Sequence, residues 1–352
     1  MRRWRLAPWA VVLVTALAAC GADRAGPSAA PAAARSGPSV SGQPKVGLVF
    51  DLGGRGDASF NDAAAAGLDR AEREFGLPVR TLTPDSGGVN REDLLRLLAS
   101  QGYGLVFAVG FAFAGPLASV ARDFPATDFA IIDAAVGAGN VVSLDFAAEQ
   151  GSFLVGAAAA RKSKTGKLGF IGGVETDAVR RFEAGFAAGV RQVRPLAGID
   201  IRYLSQPPDL SGFTDPTRAR EVALGMYQRG ADVIYHVSGG SGAGLFEAAR
   251  DTSSKGTPVW AIGVDSDQYQ TAAPPLRPFI LTSMLKRVDV AVYETISTFR
   301  RGEFHSGVVR FDAASGGVDY ATSGGALDDI RPELEALKGQ IVHGEIRVPV
   351  KP

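Results

Sequence analysis

Short apolar runs alternate with longer amphipathic stretches along the chain, from about residue 46 to residue 300. Most of the apolar runs are rich in Val, Ile and Phe and are continuous, which is typical of strands buried on both faces of a parallel sheet. They predict strands at residues 46–50, 79–82, 105–109, 129–132, 141–144, 168–171, 199–204, 233–237, 259–264 and 281–284. The longer stretches repeat apolar residues at helical spacing. They predict helices at residues 60–75, 91–100, 116–123, 146–160, 178–193, 216–229, 243–250, 288–299 and 332–338.

This alternation predicts an α/β fold in which helices cover both faces of a parallel sheet. The strand pattern restarts after Asn140, so we expect two such lobes. Residues 308–311 and 318–320 flank a Ser-Gly-Gly turn and are predicted to form a hairpin. This tail is too short for a third domain, so we expect it to complete the first two and the chain to cross between them more than once. The predicted lobes are residues 45–144 with about 266–304, and residues 145–265 with about 305–352.

The first twenty residues form a separate pattern. Three arginines precede an apolar run over residues 7–19, which is shorter than the roughly 20 residues that a membrane-spanning helix needs. The run ends in Leu-Ala-Ala-Cys at Cys20 and resembles a bacterial lipobox. The resemblance implies a signal peptide of residues 1–19 and a lipid on the thiol of Cys20 that anchors the chain to a membrane. The alternative is an ordinary secretory signal with a chance cysteine.

Composition limits the remaining chemistry. Cys20 is the only cysteine, so the folded part has no thiol for disulfides, metal binding or nucleophilic attack. Residues 20–44 are mostly Ala, Pro, Ser and Gly and predict a disordered tether. The 37 basic and 37 acidic side chains give no excess of positive charge, which argues against nucleic-acid binding. The three histidines lack metal-ligand spacing, and we expect no cofactor.

Polar residues and glycines follow five of the predicted strands, at the edge where open α/β sheets bind ligands. These positions are Asp51, Asp133, the glycine pair that includes Gly240, Asp265 and Lys286. Any one of the aspartates is equally well explained as a helix cap or a turn residue. Their repetition at corresponding strand ends favours a common ligand-binding edge.

A glycine-rich turn after the first strand leads to Phe60 and Asn61 at the start of a predicted helix. An aromatic face stacks on a planar ring with about 1–3 kcal/mol of stabilisation. The neighbouring amide offers a hydrogen-bond donor and an acceptor. Ser59 is a candidate cap for this helix, and the alternative role for Phe60 is packing in the core.

The segment from Asp51 to Asn61 resembles the opening signature of the basic membrane protein family. This family consists of bacterial lipoproteins and includes purine-nucleoside receptors of ABC transporters. Further matches follow in order through the chain, at residues 129–133, 182–186, 230–244, 263–268 and 282–286. The resemblance implies a periplasmic-binding fold of type I, with two lobes that close over a ligand.

The resemblance also implies roles for individual residues. Phe60 and Phe182 would sandwich the base of a nucleoside. Two polar sets would bind the edge of the base and the ribose hydroxyls: Asn61, Asp51 and Asp133 for the base, and Gly240, Asp265 and Lys286 for the ribose. Asp265 and Lys286 could also form an ion pair with each other.

These features predict a lipid-anchored, extracytoplasmic protein that captures a nucleoside, with purines favoured, and delivers it to an ABC permease without a chemical step. A ligand-sensing lipoprotein of the same fold that does not serve transport is one alternative. A nucleoside hydrolase is a second alternative, disfavoured because the sequence lacks an evident set of acid, base and nucleophile. The expected partners are the ligand, the permease and the membrane, with no nucleic acid.

Overall fold

The computed structural model describes residues 43–352 of the chain. The predicted signal peptide, Cys20 and nearly all of the predicted tether lie outside the described residues. In the described part, the strands are β1 (Val46–Val49), β2 (Val79–Leu82), β3 (Leu105–Val109), β4 (Asp128–Ile132), β5 (Val141–Phe146), β6 (Lys167–Val174), β7 (Gly198–Ser205), β8 (Val233–Val237), β9 (Trp260–Asp265), β10 (Ile280–Lys286), β11 (Gly307–Phe311) and β12 (Val318–Tyr320).

The α-helices of the same residues are α1 (Phe60–Phe75), α2 (Arg91–Ser100), α3 (Ala114–Asp123), α4 (Ala148–Lys162), α5 (Asp177–Val193), α6 (Pro216–Gln228), α7 (Gly242–Ser253), α8 (Gln268–Thr271), α9 (Val288–Arg300) and α10 (Arg331–Val342). None of these helices is both long enough and apolar enough to cross a bilayer.

The strands form two six-stranded sheets with matching order. The first sheet reads β11-β5-β4-β3-β1-β2 and the second reads β12-β10-β9-β8-β6-β7. The described pairings are parallel except that of β12 with β10, which is antiparallel. The central strand β3 is buried along its whole length because its five apolar residues face helices on both sides. The predicted α/β fold with two sheets is confirmed.

Two helices, α4 and α9, each follow a strand of one sheet but pack with the helices of the other sheet. Helix α4 follows β5 of the first sheet but packs on α5, and α9 follows β10 of the second sheet but packs on α1. Glycines allow both close approaches. A Cβ added at Gly67 of α1 would lie 2.3 Å from the Asp289 carbonyl oxygen, and one at Gly185 of α5 would lie 2.1 Å from that of Glu149. The first lobe is here the first sheet with α1, α2, α3 and α9, and the second lobe is the second sheet with the remaining helices.

Within the described residues the chain passes between the lobes three times, after β5, after β10 and after β11. The predicted hairpin of residues 308–311 and 318–320 is wrong, because β11 pairs with β5 and β12 pairs with β10. Strand membership also differs from the predicted lobe boundaries: β10 lies in the second sheet and β11 in the first. Local apolar patterns identify strands, but the sheet that a strand joins depends on distant partners.

Candidate ligand-binding site

A cavity of about 270 Å³ lies between the carboxyl ends of the two sheets. Pockets for small molecules range over roughly 300–1,000 Å³, so this one suits a small solute. All eight residues predicted from the sequence line it, four from each lobe. They are Asp51, Phe60, Asn61 and Asp133 from the first lobe, and Phe182, Gly240, Asp265 and Lys286 from the second. The structure brings these residues together, and their role towards a ligand stays a prediction.

Two of the lining aspartates occupy matching positions at the ends of β4 and β9. Asp133 has a φ of 65° and Asp265 has a φ of 64°. Among the described residues other than glycine, Ala58 is the third with a positive φ, and it lies two residues before the start of α1. Such backbone conformations are uncommon for residues other than glycine and cluster at functional sites. Asp133 and Asp265 both line the cavity.

Lys286, at the end of β10, is a buried cation in the cavity with only 2% of its surface exposed. Its ammonium forms an ion pair with the carboxylate of Asp133 from the other lobe. The Nζ atom also lies 4.4 Å from the ring centre of Phe60, 5.2 Å from that of Phe146 and 5.8 Å from that of Phe182. Aromatic faces attract cations, so the rings and the carboxylate together stabilise the buried charge.

Asp265 takes a different partner from the one the sequence suggested. Its Oδ2 atom accepts a hydrogen bond of 2.7 Å from the hydroxyl of Ser59 in the first lobe, whereas Lys286 pairs with Asp133. Burial raises the pKa of Asp265 to about 6, and the positive charge of Lys286 and the hydrogen bond from Ser59 oppose the rise.

The start of α1 is capped by Asp57 and not by the predicted Ser59. The Asp57 carboxylate accepts hydrogen bonds from the backbone N–H groups of Ser59 at 2.9 Å, Asn61 at 2.8 Å and Asp62 at 3.1 Å. Burial raises the pKa of Asp57, and these three hydrogen bonds oppose the rise. Asp57 also lines the cavity, which sequence reasoning missed. The available signal for Asp57 was its position two residues before Ser59, where an Asp side chain can bond to backbone N–H groups of the following turn.

Asp51 is held in place by hydrogen bonds and an ion pair with neighbouring residues of the first lobe. Its backbone N–H donates to Asn61 Oδ1 at 2.9 Å, and Asn61 Nδ2 donates to the carbonyl of Leu52 at 3.3 Å. The Asp51 carboxylate accepts from the N–H of Leu52 at 2.8 Å and faces the guanidinium of buried Arg91 at 3.4 Å. Burial raises the pKa of Asp51, and the Leu52 hydrogen bond and the Arg91 charge lower it. A basic residue in the first turn of α2, where acidic residues are favoured, was the only sequence signal for Arg91.

Two further aromatic residues line the cavity, and sequence reasoning missed them. Phe111 of the first lobe and Phe213 of the second meet edge to face, with ring centres 6.5 Å apart. Both lie in short 3₁₀ turns just after strands β3 and β7. At the rim, Arg55 is neutralised by a bidentate pair with Asp69, at 2.6 and 2.8 Å. Residues 43–352 contain no cluster of three or more His, Cys, Asp or Glu side chains arranged to hold a metal ion.

A polar cleft between two matched lobes is shared by many solute receptors, and the sequence decides the family. Residues 44–351 match the profile of a family described as ABC transporter substrate-binding proteins, PnrA-like. The chain belongs to this family. The predicted resemblance to basic membrane proteins is therefore confirmed, and solute binding is the role of this family of proteins.

Named relatives cover most of the chain. It is 33% identical over 321 residues to a CD4+ T-cell-stimulating antigen of Listeria monocytogenes, covering 87% of this chain and 88% of the relative. It is also 33% identical over 320 residues to an ABC transporter nucleoside-binding protein of Lactococcus lactis, covering 87% and 89%. The crystal structure of an ABC transporter solute-binding protein from Aeropyrum pernix matches with a TM-score of 0.76 and 31% identity, covering 87% of this chain and 94% of that one. This match confirms the predicted periplasmic-binding fold.

Proposed function

We propose that this chain captures a nucleoside, with purines favoured, and presents it to an ABC permease without carrying out a chemical step. The observation that carries the proposal is that Phe60 and Phe182, from opposite lobes, both line a cavity edged with carboxylates. An aromatic ring on each side of the cavity suits a planar base, since stacking contributes about 1–3 kcal/mol per base. A relative is named as a nucleoside-binding protein, which supports the same ligand class.

Polar groups on the first-lobe side suit the edge of a base. The side chain of Asn61 donates one hydrogen bond to the backbone of the neighbouring turn and accepts one from it. One amide hydrogen and one carbonyl lone pair therefore remain for a ligand. The Asp51 carboxylate lies beside it and can accept from a ring N–H or an exocyclic amine. The backing by Arg91 favours the ionised form of Asp51.

Groups on the second-lobe side suit a sugar. Vicinal hydroxyls of ribose can donate to the carboxylate of Asp265, and the ammonium of Lys286 can donate to their oxygens. Gly240 has no side chain to keep the ribose away, and the backbone there lies close to Asp57 across the cleft.

The charge of the cavity disfavours an anionic ligand. Four aspartates line it and Lys286 and Arg55 are its lining cations, of which Arg55 is already paired at the rim. The lining aspartates are Asp51, Asp57, Asp133 and Asp265. A phosphate would enter a site with excess negative charge, which is a repulsive element against nucleotides.

We propose that the protein works on the outer face of a membrane, held by lipid on Cys20. Small residues lie before Cys20 and an apolar run precedes it, as acylation requires. Full-length Cys20→Ala should fail to incorporate labelled palmitate and should leave the membrane fraction. Retention of label by the variant would contradict the anchor.

Isothermal titration calorimetry tests the ligand class on protein first stripped of co-purified ligand. Inosine, guanosine and adenosine should bind, cytidine should bind less tightly, and inosine 5′-monophosphate should bind at least about ten-fold more weakly than inosine because of charge repulsion. If none of the four nucleosides binds, the nucleoside proposal fails. Release of free base during long incubation would contradict the absence of a chemical step.

A further inference from the structure

The two residues that precede α1 are bonded to the opposite lobe. Five hydrogen bonds join Ala58 and Ser59 of the first lobe to the segment from the end of β9 to α8 in the second. Four of them run from Ser59 Oγ to Asp265 Oδ2 (2.7 Å) and to the Val264 carbonyl (3.3 Å), from Ser266 Oγ to the Ser59 carbonyl (3.1 Å), and from Gln268 Nε2 to the Ala58 carbonyl (3.2 Å). The fifth is an exposed bond of 3.5 Å from Thr271 Oγ1 to the Ala58 carbonyl. Ser59 is buried, so the two bonds that its hydroxyl donates are shielded from water, while those of Ser266 and Gln268 are partly buried.

The direction of the Gln268 amide follows from its neighbours in the second lobe. Its Oε1 atom accepts from the N–H of Val264 at 2.9 Å and lies 2.9 Å from Nε2 of His236. Burial lowers the pKa of His236 to about 4, so its ring is neutral near neutral pH. The Nε2–H group of His236 then donates to Oε1, while Nδ1 accepts from Ser238 Oγ at 3.2 Å. With Oε1 occupied by two donors, the amide NH₂ of Gln268 faces Ala58.

Glycines leave the space that this arrangement needs. A Cβ added at Gly242 would lie 1.9 Å from Cε1 of His236, and one at Gly263 would lie 2.5 Å from Oε1 of Gln268. Part of the glycine-rich run after β8 therefore accommodates His236. The close fit keeps His236 and Gln268 in one orientation relative to each other.

We propose that Gln268, oriented by His236, is a positioning residue that fastens the start of α1 to the second lobe and so couples the placement of Phe60 to closure of the lobes. Phe60 and Asn61 directly follow the bonded residues, so opening the lobes would release the same turn that carries both. The bonds stabilise the closed form relative to the open form and so slow the dissociation of a bound ligand. Of the experiments that test this role, only those that measure ligand dissociation rest on the proposed function.

The test uses Gln268→Met, which keeps the length of the side chain and removes its hydrogen bonds. Loss of tritiated inosine from the complex should become about ten-fold faster, while the association rate changes little, because a bond made in the closed form acts on dissociation. Gln270→Met is the matched control, since Gln270 is exposed and bonds Ser323 within the second lobe. Its dissociation rate should equal that of the wild type.

A second variant approaches the same contact from the first lobe. Ser59→Ala removes the two bonds that its hydroxyl donates and should also speed dissociation. The double variant with Gln268→Met should show less than the product of the single effects, because both act on one contact. This arm decides the outcome if Gln268→Met fails to fold.

The two proposals fail in different ways. If wild-type protein binds no nucleoside, the ligand class is wrong, and small-angle X-ray scattering of the unliganded proteins then decides the positioning role. Gln268→Met should have the larger radius of gyration because its lobes open more readily. An unchanged radius of gyration, or a wild-type dissociation rate in both Gln268→Met and Ser59→Ala, would overturn the positioning role.

Discussion

Asp133 and Asp265 occupy the same place in two different sheets. Each follows or ends the third strand from one edge, and their φ angles differ by one degree (65° and 64°). Their surroundings differ: Asp133 is partly exposed and pairs with an ammonium, while Asp265 is buried and pairs with a hydroxyl. In both cases the donor comes from the opposite lobe.

The difference shows how one backbone geometry can present two kinds of carboxylate. The ammonium of Lys286 compensates the charge of Asp133 directly. The hydroxyl of Ser59 carries no charge, so burial raises the pKa of Asp265 to about 6. Because each aspartate is bonded by a residue of the opposite lobe, separating the lobes would remove the partners of both.

The largest effect is expected for Lys286→Met, which would leave Asp133 without its cation. Removing one partner of a buried ion pair costs about 3–5 kcal/mol, reduced here because Asp133 is partly exposed. We expect ligand affinity to fall by about 100-fold or more, which corresponds to roughly 3 kcal/mol. Calorimetric titration with inosine measures the loss.

Two further variants sharpen this result. Lys338→Met is a matched control, because Lys338 pairs with Asp319 away from the cavity. Adding Asp133→Asn to Lys286→Met should recover thermal stability without recovering affinity. An affinity for inosine within two-fold of the wild type in Lys286→Met would show that the ion pair has no role in binding.

A smaller effect is expected for Phe60→Ala, which removes one ring from around Lys286. Purine affinity should fall by about 1–3 kcal/mol if the ring stacks on the base. Phe75→Ala lies on the same helix and stacks on Tyr293 away from the cavity, so it should leave affinity unchanged. Equal titration curves for Phe60→Ala and the wild type would contradict stacking and indicate that Phe60 serves only in packing.

The smallest effect concerns pH and separates the two aspartates. Ligand hydroxyls donate best to an ionised carboxylate, so inosine affinity should weaken as pH falls through about 6, the pKa of Asp265. Over one pH unit below this value the expected loss is up to about ten-fold. Asp265→Asn should remove this dependence and Asp133→Asn should retain it. Titrations that keep the same pH profile in Asp265→Asn would assign the dependence to another group.

The stability of the unliganded protein should change in the opposite direction. The pKa of Asp265 is raised on folding from 3.8 to about 6, so the folded state binds more protons than the unfolded state between these values. The contribution of Asp265 is therefore most favourable at low pH and is lost as pH rises through about 6. Urea unfolding of wild type and Asp265→Asn across this range measures the difference.

Local structure and much of the site could be predicted from the sequence. The bounds of α1 and β3 agree with the pattern because burial of an apolar face is a local signal. The predicted residues line one cavity because parallel strands bring their carboxyl ends to one edge.

Cross-lobe contacts could not be predicted. Ser59 reads as a cap, yet its hydroxyl bonds Asp265, more than two hundred positions away in the chain. The error over β11 and β12 has the same origin, since each strand pairs with a distant partner in a different sheet. Gln268 lies in a segment that resembles the family, but the sequence does not predict its contacts, because they depend on how His236 and Ala58 meet it in space.

The exchange of α4 and α9 between the lobes bears on how the chain folds as it is made. The first lobe needs α9 and β11 from late in the sequence, and β11 ends at residue 311 of 352. A nascent chain cannot complete either sheet until most of it has emerged. We expect chains truncated before Val288 to stay open to proteases, because the face of α1 that α9 covers would be bare. Such a delay would keep the chain extended during the passage across the membrane that our proposed location requires.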